Sequence, residues 1–263
     1  MIDSHCHLFF DSIKNDFDNI ILRSIKNNIT SILSINTDPE DFEKHYQLIT
    51  QYKSLYISYG LHPENVKSNN IPSIKDIELF CKYDRVIGIG ETGLDFYRSL
   101  ENKNSQYKSF ENHIESSYNT NLPIIIHQRN SEKEIIDIIS YYNKRRPLKI
   151  VFHCFTGSEI LKNFCLDNDF YISLSGIITF KNAQKLREII LNFPLNKILV
   201  ETDSPFLAPT PLRGKKNEPS YVKFIGDFLS SIFNISIEDF TETTDNNFYK
   251  LFSKAIRYNQ ISK

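Results

Sequence analysis

Eight short apolar runs, rich in β-branched residues, recur along the chain: Ile2–His7, Thr30–Ile35, Leu55–Tyr59, Val86–Gly90, Pro123–His127, Lys149–His153, Phe170–Leu174 and Lys197–Glu201. Most are separated by stretches with apolar residues at helical spacing, such as Ile20, Ile21 and Ile25, or Ile135, Ile138 and Ile139. Asp38-Pro39-Glu40 reads as a helix start, with Asp38 as cap and Pro39 in the first turn. Alternating strands and helices imply a parallel sheet with right-handed crossovers. Eight units predict an α/β fold of the closed (β/α)₈ TIM-barrel type rather than an open doubly wound sheet, and no G-x-G-x-x-G follows the first run to favour a dinucleotide site. Helical patterns at Tyr221–Phe233 and Ile237–Ile256 would complete the outer ring.

Length fits this picture: 263 residues is near the typical size of one such barrel, so residues 1–263 are read as a single domain. A formal net charge of −1 argues against gripping nucleic acid by bulk positive charge, though it leaves room for a local basic rim. Cys6, Cys81, Cys154 and Cys165 form no C-x-x-C pair, which predicts reduced thiols in a cytoplasmic protein. The first residues show no basic and apolar leader, and no run is long enough to span a membrane.

The polar residues at the strand ends carry the chemistry. In an extended strand residues two apart share a face, so His5 and His7 form a pair with Cys6 pointing away; two solvated histidines at a polar strand end is the plainer alternative. Glu91 follows the fourth run, His127 and His153 end the fifth and sixth, and Asp203 comes just after the eighth. All six residues fall at C-terminal strand ends, where barrels of this class place their active sites. Four histidines and two carboxylates at one barrel mouth are costly to bury without an ion. Mixed N/O ligation suits Zn²⁺ or Mn²⁺, or Mg²⁺ on the carboxylate-rich side, and six ligands predict two ions rather than one. His62, directly after the third run, is a candidate substrate contact. His45 and His113 lie in helical patterns and are expected at the surface or its boundary.

Taken in order, the motifs D-S-H-C-H (Asp3–His7), G-L-H-P (Gly60–Pro63), G-E-T-G-L-D (Gly90–Asp95), I-H-Q-R (Ile126–Arg129), H-C-F-T-G (His153–Gly157), V-E-T-D-S-P-F-L (Val200–Leu207) and R-G-K-K-N-E-P (Arg213–Pro219) resemble those of the TatD-family metal-dependent hydrolases, the TatD DNases of the amidohydrolase-like barrels. The resemblance implies two divalent metals: His5 and His7 would hold one with help from Asp203, His127 and His153 the other, and Glu91 would bridge them. It also implies deoxyribonuclease activity, removing nucleotides from a DNA end in the 3′-to-5′ direction. Leu212 departs from the histidine or aromatic that several members carry before R-G, which bears on substrate preference and not on the metals.

The chemistry expected is metal-assisted hydrolysis of a phosphodiester, a divalent ion lowering the pKa of water from 15.7 towards about 7. Asp203 is the candidate general base. Glu201 would share a face with Asp203 if the strand stays extended, and is read as a partner of a ligand rather than a ligand. Arg129 and the cluster Arg213, Lys215 and Lys216 are the candidate phosphate contacts. A dimetal hydrolase of a small ester, amide or phosphoester is the alternative, favoured mildly by the neutral charge. A non-catalytic metal protein is a remote third reading, since structural sites favour Cys-rich shells. DNA is the expected partner of a monomer, with no membrane and no obligate protein partner.

Overall fold

The computed structural model describes residues 1–97 and 100–263. Eight strands lie parallel in sequence order: β1 Ile2–Cys6, β2 Ser31–Ser34, β3 Leu55–Tyr59, β4 Val86–Asp95, β5 Ile124–Arg129, β6 Ile150–Phe152, β7 Tyr171–Leu174 and β8 Ile198–Val200. The helices that return the chain are α1 Asp11–Lys14, α2 Phe17–Lys26, α3 Phe42–Ile49, α4 Ile74–Phe80, α5 Lys103–Thr120, α6 Glu132–Arg145, α7 Glu159–Asp167, α8 Gln184–Ile190, α9 Val222–Phe233 and α10 Ile237–Leu251. This is the expected (β/α)₈ barrel. Among the described residues no helix is long and apolar enough to cross a membrane.

The sheet closes through the chain just beyond β8. His5 O accepts from Asp203 N (2.9 Å), His7 N donates to Ser204 O (2.8 Å), and Ser4 Oγ donates to Val200 O (2.8 Å). The buried Asp3 carboxylate spans the same seam, accepting from Thr202 N (2.8 Å) and Thr202 Oγ1 (2.6 Å). Closure therefore sets Asp203 beside the two histidines of β1.

One apolar cluster takes single residues from successive strands, namely Leu33, Tyr56, Ile87, Ile125, Val151 and Leu199, together with Phe248 and Phe252 at the C-terminal end of the chain. That is the barrel interior. With a side-chain period of two, His127 sits above Ile125, His153 above Val151 and Glu201 above Leu199. An apolar floor thus lies under a polar layer at the C-terminal mouth.

Strand β4 runs longer than its apolar core, continuing through Glu91 to pair Asp95 with Arg129 of β5. Its path needs glycine: Gly90 has φ 134°, and a Cβ on Gly60 would lie 2.5 Å from the Gly90 backbone. The close approach brings the ends of β3 and β4 together, and with them His62 and Glu91. Asp38 caps a turn at Pro39–Asp41 by accepting from Glu40 N (3.0 Å) before α3 begins.

Candidate metal centre at the barrel mouth

Five histidines and two carboxylates converge on one point. Glu91, 2% exposed, is its hub: Oε1 lies 2.7 Å from His153 Nε2, 2.9 Å from His127 Nδ1 and 3.3 Å from His62 Nε2, and Oε2 lies 3.4 Å from His5 Nε2. Asp203 Oδ1 stands on the other side, 3.2 Å from His7 Nε2 and 3.8 Å from His5 Nε2. His5 and His7 do share a face, their ring centroids 5.2 Å apart, while the buried Cys6 thiol reaches the Leu33 carbonyl. His5 also stacks on His153 at 4.0 Å. Three sets of ligand atoms fall within reach of a single ion: His5, His7 and Asp203; His5, Glu91 and His153; and His62, Glu91 and His127.

The hydrogen bonds fix what each ring offers. His127 Nε2 lies 2.9 Å from Asp95 Oδ2, a carboxylate that can only accept, so Nε2 carries the proton and Nδ1 turns its lone pair to Glu91 Oε1. Two acceptors at 2.9 Å need a cation or a proton between them. His62 behaves differently: its Nδ1 accepts from Glu64 N (3.1 Å), so the neutral ring presents Nε2–H towards Glu91. That makes His62 a donor at the edge of the cluster. On the far side of His153, Glu201 Oε1 lies 3.5 Å from Nδ1 and accepts from Cys154 N (2.9 Å).

Electrostatics point the same way. Burial alone would raise the Glu91 carboxyl, but His153, His62 and His127 hold it well below its ordinary value. Burial would likewise lower His153, yet Glu91 and Glu201 push it well above the usual histidine range. Asp203 is held below the ordinary aspartate value against its burial by His7, His5 and His153. Several buried atoms nonetheless have no hydrogen-bond partner, among them both nitrogens of His5, His7 Nδ1 and Glu91 Oε2. Orphaned polar atoms cost about 1–3 kcal/mol each when buried, so a convergent set of lone pairs and a carboxylate fits a divalent cation well. The donors are imidazole and carboxylate, with no thiol among them.

A cavity of about 290 Å³ opens over this cluster, lined among others by Phe10, His62, Glu91, Arg129 and Asp203. Arg129 is held over the Tyr97 ring, 3.7 Å from its centroid. Arg213 instead packs over Phe180 at 3.6 Å and does not line the cavity. Lys216 donates to the Ser12 carbonyl (2.8 Å), and the buried Asn217 ties the same loop to Thr202 O and Phe206 O. The basic cluster is thus drawn aside by its own contacts. Glu201 and Asp203 do not share an extended strand, because β8 ends at Val200 and Asp203 turns at φ 54°.

His45 and His113 are corrections to the sequence reading, for both are fully buried. His113 donates from Nδ1 to Ser109 O (2.7 Å) and accepts at Nε2 from Leu61 N (3.2 Å), the amide next to His62. His45 Nε2 pairs with Ser34 Oγ (2.7 Å), which accepts from Leu8 N, the amide next to His7. Each braces a mouth loop from a helix. Burial lowers the His113 pKa to about 4, so it stays neutral in the fold while the unfolded chain protonates near 6.5. Stability should therefore fall as pH drops from about 6.5 towards 4, by up to about 1.4 kcal/mol per pH unit from this group. Thermal melts of His113→Leu should show a shallower acid slope and a loss of about 2 kcal/mol at pH 7; an unchanged slope would contradict the assignment.

Asp95 is the other residue that strand-end reasoning passed over, since the unforeseen extension of β4 is what carries it to His127. Its bond fixes the ring nitrogen that faces Glu91. Asp95→Asn should weaken divalent-metal affinity about 10–100-fold, as loss of a carboxylate behind a metal-facing histidine does elsewhere; isothermal titration with Mn²⁺ reads this directly, and wild-type affinity would refute it.

Comparison with known proteins agrees with the geometry. The profile of the TatD related DNase family matches residues 2–253. The chain is 34% identical to the uncharacterized metal-dependent hydrolase YcfH of Escherichia coli (strain K12), over 96% of this chain and 95% of the relative. It is 32% identical to the uncharacterized metal-dependent hydrolase YabD of Bacillus subtilis, over 96% of this chain and 98% of the relative. Among solved structures, the TatD homologue YjjV of Escherichia coli superposes with a TM-score of 0.87 at 25% identity, covering 96% of this chain and 98% of that one.

Proposed function

The chain belongs to the TatD family of metal-dependent hydrolases, and from that premise we propose that it is a deoxyribonuclease cleaving phosphodiester bonds at the Glu91-centred mouth. The observation that carries the metal part of this reading is the convergence of imidazole nitrogens from His5, His62, His127 and His153 on the one buried Glu91 carboxylate, with Asp203 facing His5 and His7. Two divalent ions, Mg²⁺, Mn²⁺ or Zn²⁺, fit the donor set. His5, His7 and Asp203 would hold one and His127 and His153 the other, with Glu91 between them. When bound, such ions supply Lewis acidity to the phosphoryl oxygen and lower the pKa of water.

The protein's own groups do the rest. Asp203 is ionised at neutral pH and 13% exposed, so its carboxylate can take the proton of the attacking water. His62 lines the cavity with its Nε2–H towards Glu91, at the edge where a phosphate oxygen would enter. Arg129 can take the phosphate bidentately, and its stacking on Tyr97 limits the freedom lost on binding. Glu201 and Asp95 hold the outer nitrogens of His153 and His127, keeping both rings aimed at Glu91. Arg213, lying outside the cavity, would meet only a longer strand.

A second reading, hydrolysis of a small phosphoester or amide, draws on the net charge of −1 and on Arg129 being the one Lys or Arg among the described cavity-lining residues. One assay separates them. Metal-free protein is given Mg²⁺, Mn²⁺ or Zn²⁺ and incubated with 5′- or 3′-labelled single- and double-stranded DNA beside bis(4-nitrophenyl) phosphate. The nuclease reading expects metal-dependent shortening from the 3′ end. No DNA cleavage with any metal, alongside turnover of the small ester, would favour the second reading.

A further inference from the structure

We propose that a second cavity, next to the metal centre, is a subsite for the base of the nucleotide flanking the scissile phosphodiester. This rests on the nuclease reading above and names where its substrate's neighbouring base would go. The cavity is about 580 Å³, twice the volume of the one over the metal cluster, and is lined by residues that none of the proposed chemistry uses, including Phe9, Ser12, Lys14, Asn36 and His45. Phe10 and Thr37 line both cavities, so the two share a wall. A strand whose phosphate reaches the Glu91 cluster has its next nucleoside at this shared wall.

The walls suit a planar ring. Phe10 is packed face-on against His7, with centroids 4.6 Å apart and planes 13° from parallel, which fixes it as a rigid partition. Phe9 is stacked on His45 at 5.0 Å and 20°, and His45 is itself held by Ser34. Aromatic surfaces of this kind stack any base, because every base has a π-face. The cavity also contains a polar group without a use: Asn36 is 1% exposed, its Nδ2 donates to Asp38 O (2.9 Å), and its Oδ1 has no partner. An N–H on a base edge would satisfy that acceptor. At the opening Lys14 is paired with Asp11, Asp41 lines the same cavity, and the Lys216 ammonium is bound to the Ser12 carbonyl, so the entrance is close to neutral and the aromatic walls and Asn36 carry the proposal.

The test uses a dinucleotide with an uncleavable phosphorothioate link and the fluorescent base 2-aminopurine at the flanking position, added to the metal-loaded wild-type protein. Stacking should quench its fluorescence saturably. Ser12→Trp, which fills the cavity from its exposed edge, should weaken that binding about tenfold. It should also lower, about tenfold, the ratio of kcat/KM for a cleavable dinucleotide to that for bis(4-nitrophenyl) phosphate, a ratio that general damage to the fold leaves unchanged. Asn36→Ala should move both readouts in the same direction if Ser12→Trp does not fold. Absence of quenching by the wild type, or an unchanged ratio in a folded variant, would overturn the subsite. A wild type that quenches the probe yet cleaves no DNA would remove the nuclease reading and with it the subsite's part in cleavage, leaving only a base-binding cavity; one that cleaves DNA without quenching would remove the subsite alone.

Discussion

Replacing Glu91 with glutamine is expected to lower hydrolysis by about three orders of magnitude or more, because the whole metal-supplied part of the rate goes with it. The reason is positional. Glu91 lies within 3.4 Å of nitrogens on four histidines drawn from four different segments of the barrel. Its Oε2 faces His5 while its Oε1 faces His127 and His153, so one carboxylate joins the two sides of the mouth. Glutamine preserves the shape and removes the charge, so the barrel should still fold, as circular dichroism would show. Equilibrium dialysis of the variant should find less than the wild-type metal content. A variant that retains its full complement of ions, with native affinity, would mean that Glu91 holds neither.

Asp203→Asn should cost about 10²–10⁴ in kcat, the usual worth of a positioned general base. Asparagine is the informative replacement here. Asp203 adopts φ 54°, a left-handed conformation that Asn tolerates as readily as Asp and that Ala does not. The turn between β8 and Phe206 should therefore survive, including the backbone bond from Asp203 N to His5 O. What changes is the ability to accept a proton beside His7. The pH–rate profile should lose its acidic limb along with the rate. Undiminished activity in this variant would move the base elsewhere and would also count against Asp203 as a ligand of the ion beside His5 and His7.

Much of this architecture was legible in the residue pattern, and the physical reason is that parallel strands buried on both faces read as continuous β-branched runs. The run Leu55–Tyr59 coincides with β3, and the other seven runs overlap their strands. The site was legible for a related reason: His127 and His153 directly follow the apolar runs of β5 and β6 on the inward face, so their convergence follows from barrel geometry alone. Three features were hidden. His45 and His113 bond amides, at Leu8 (through Ser34) and Leu61, that lie 37 and 52 positions away in sequence, and helical periodicity says nothing about such partners. Asp95 lies beyond the apolar part of β4, carried inward by a strand extension at Gly93, whose φ of 140° no pattern of hydrophobicity reveals. The basic stretch Arg213–Lys216 looked like a rim of the site, but Asn217 and the Glu218–Arg23 ion pair pull its loop towards α1 and α2. Loops are placed by such side-chain bonds, and a sequence shows the bonding groups without showing their partners.

The most direct test of the Glu91-centred metal pair is anomalous diffraction at the manganese edge from crystals soaked in Mn²⁺. Two peaks are expected at the barrel mouth, one beside His5, His7 and Asp203 and one beside His127 and His153, with the Glu91 carboxylate between them. No peak at the mouth, or density that leaves Glu91 outside the coordination of either ion, would contradict the account.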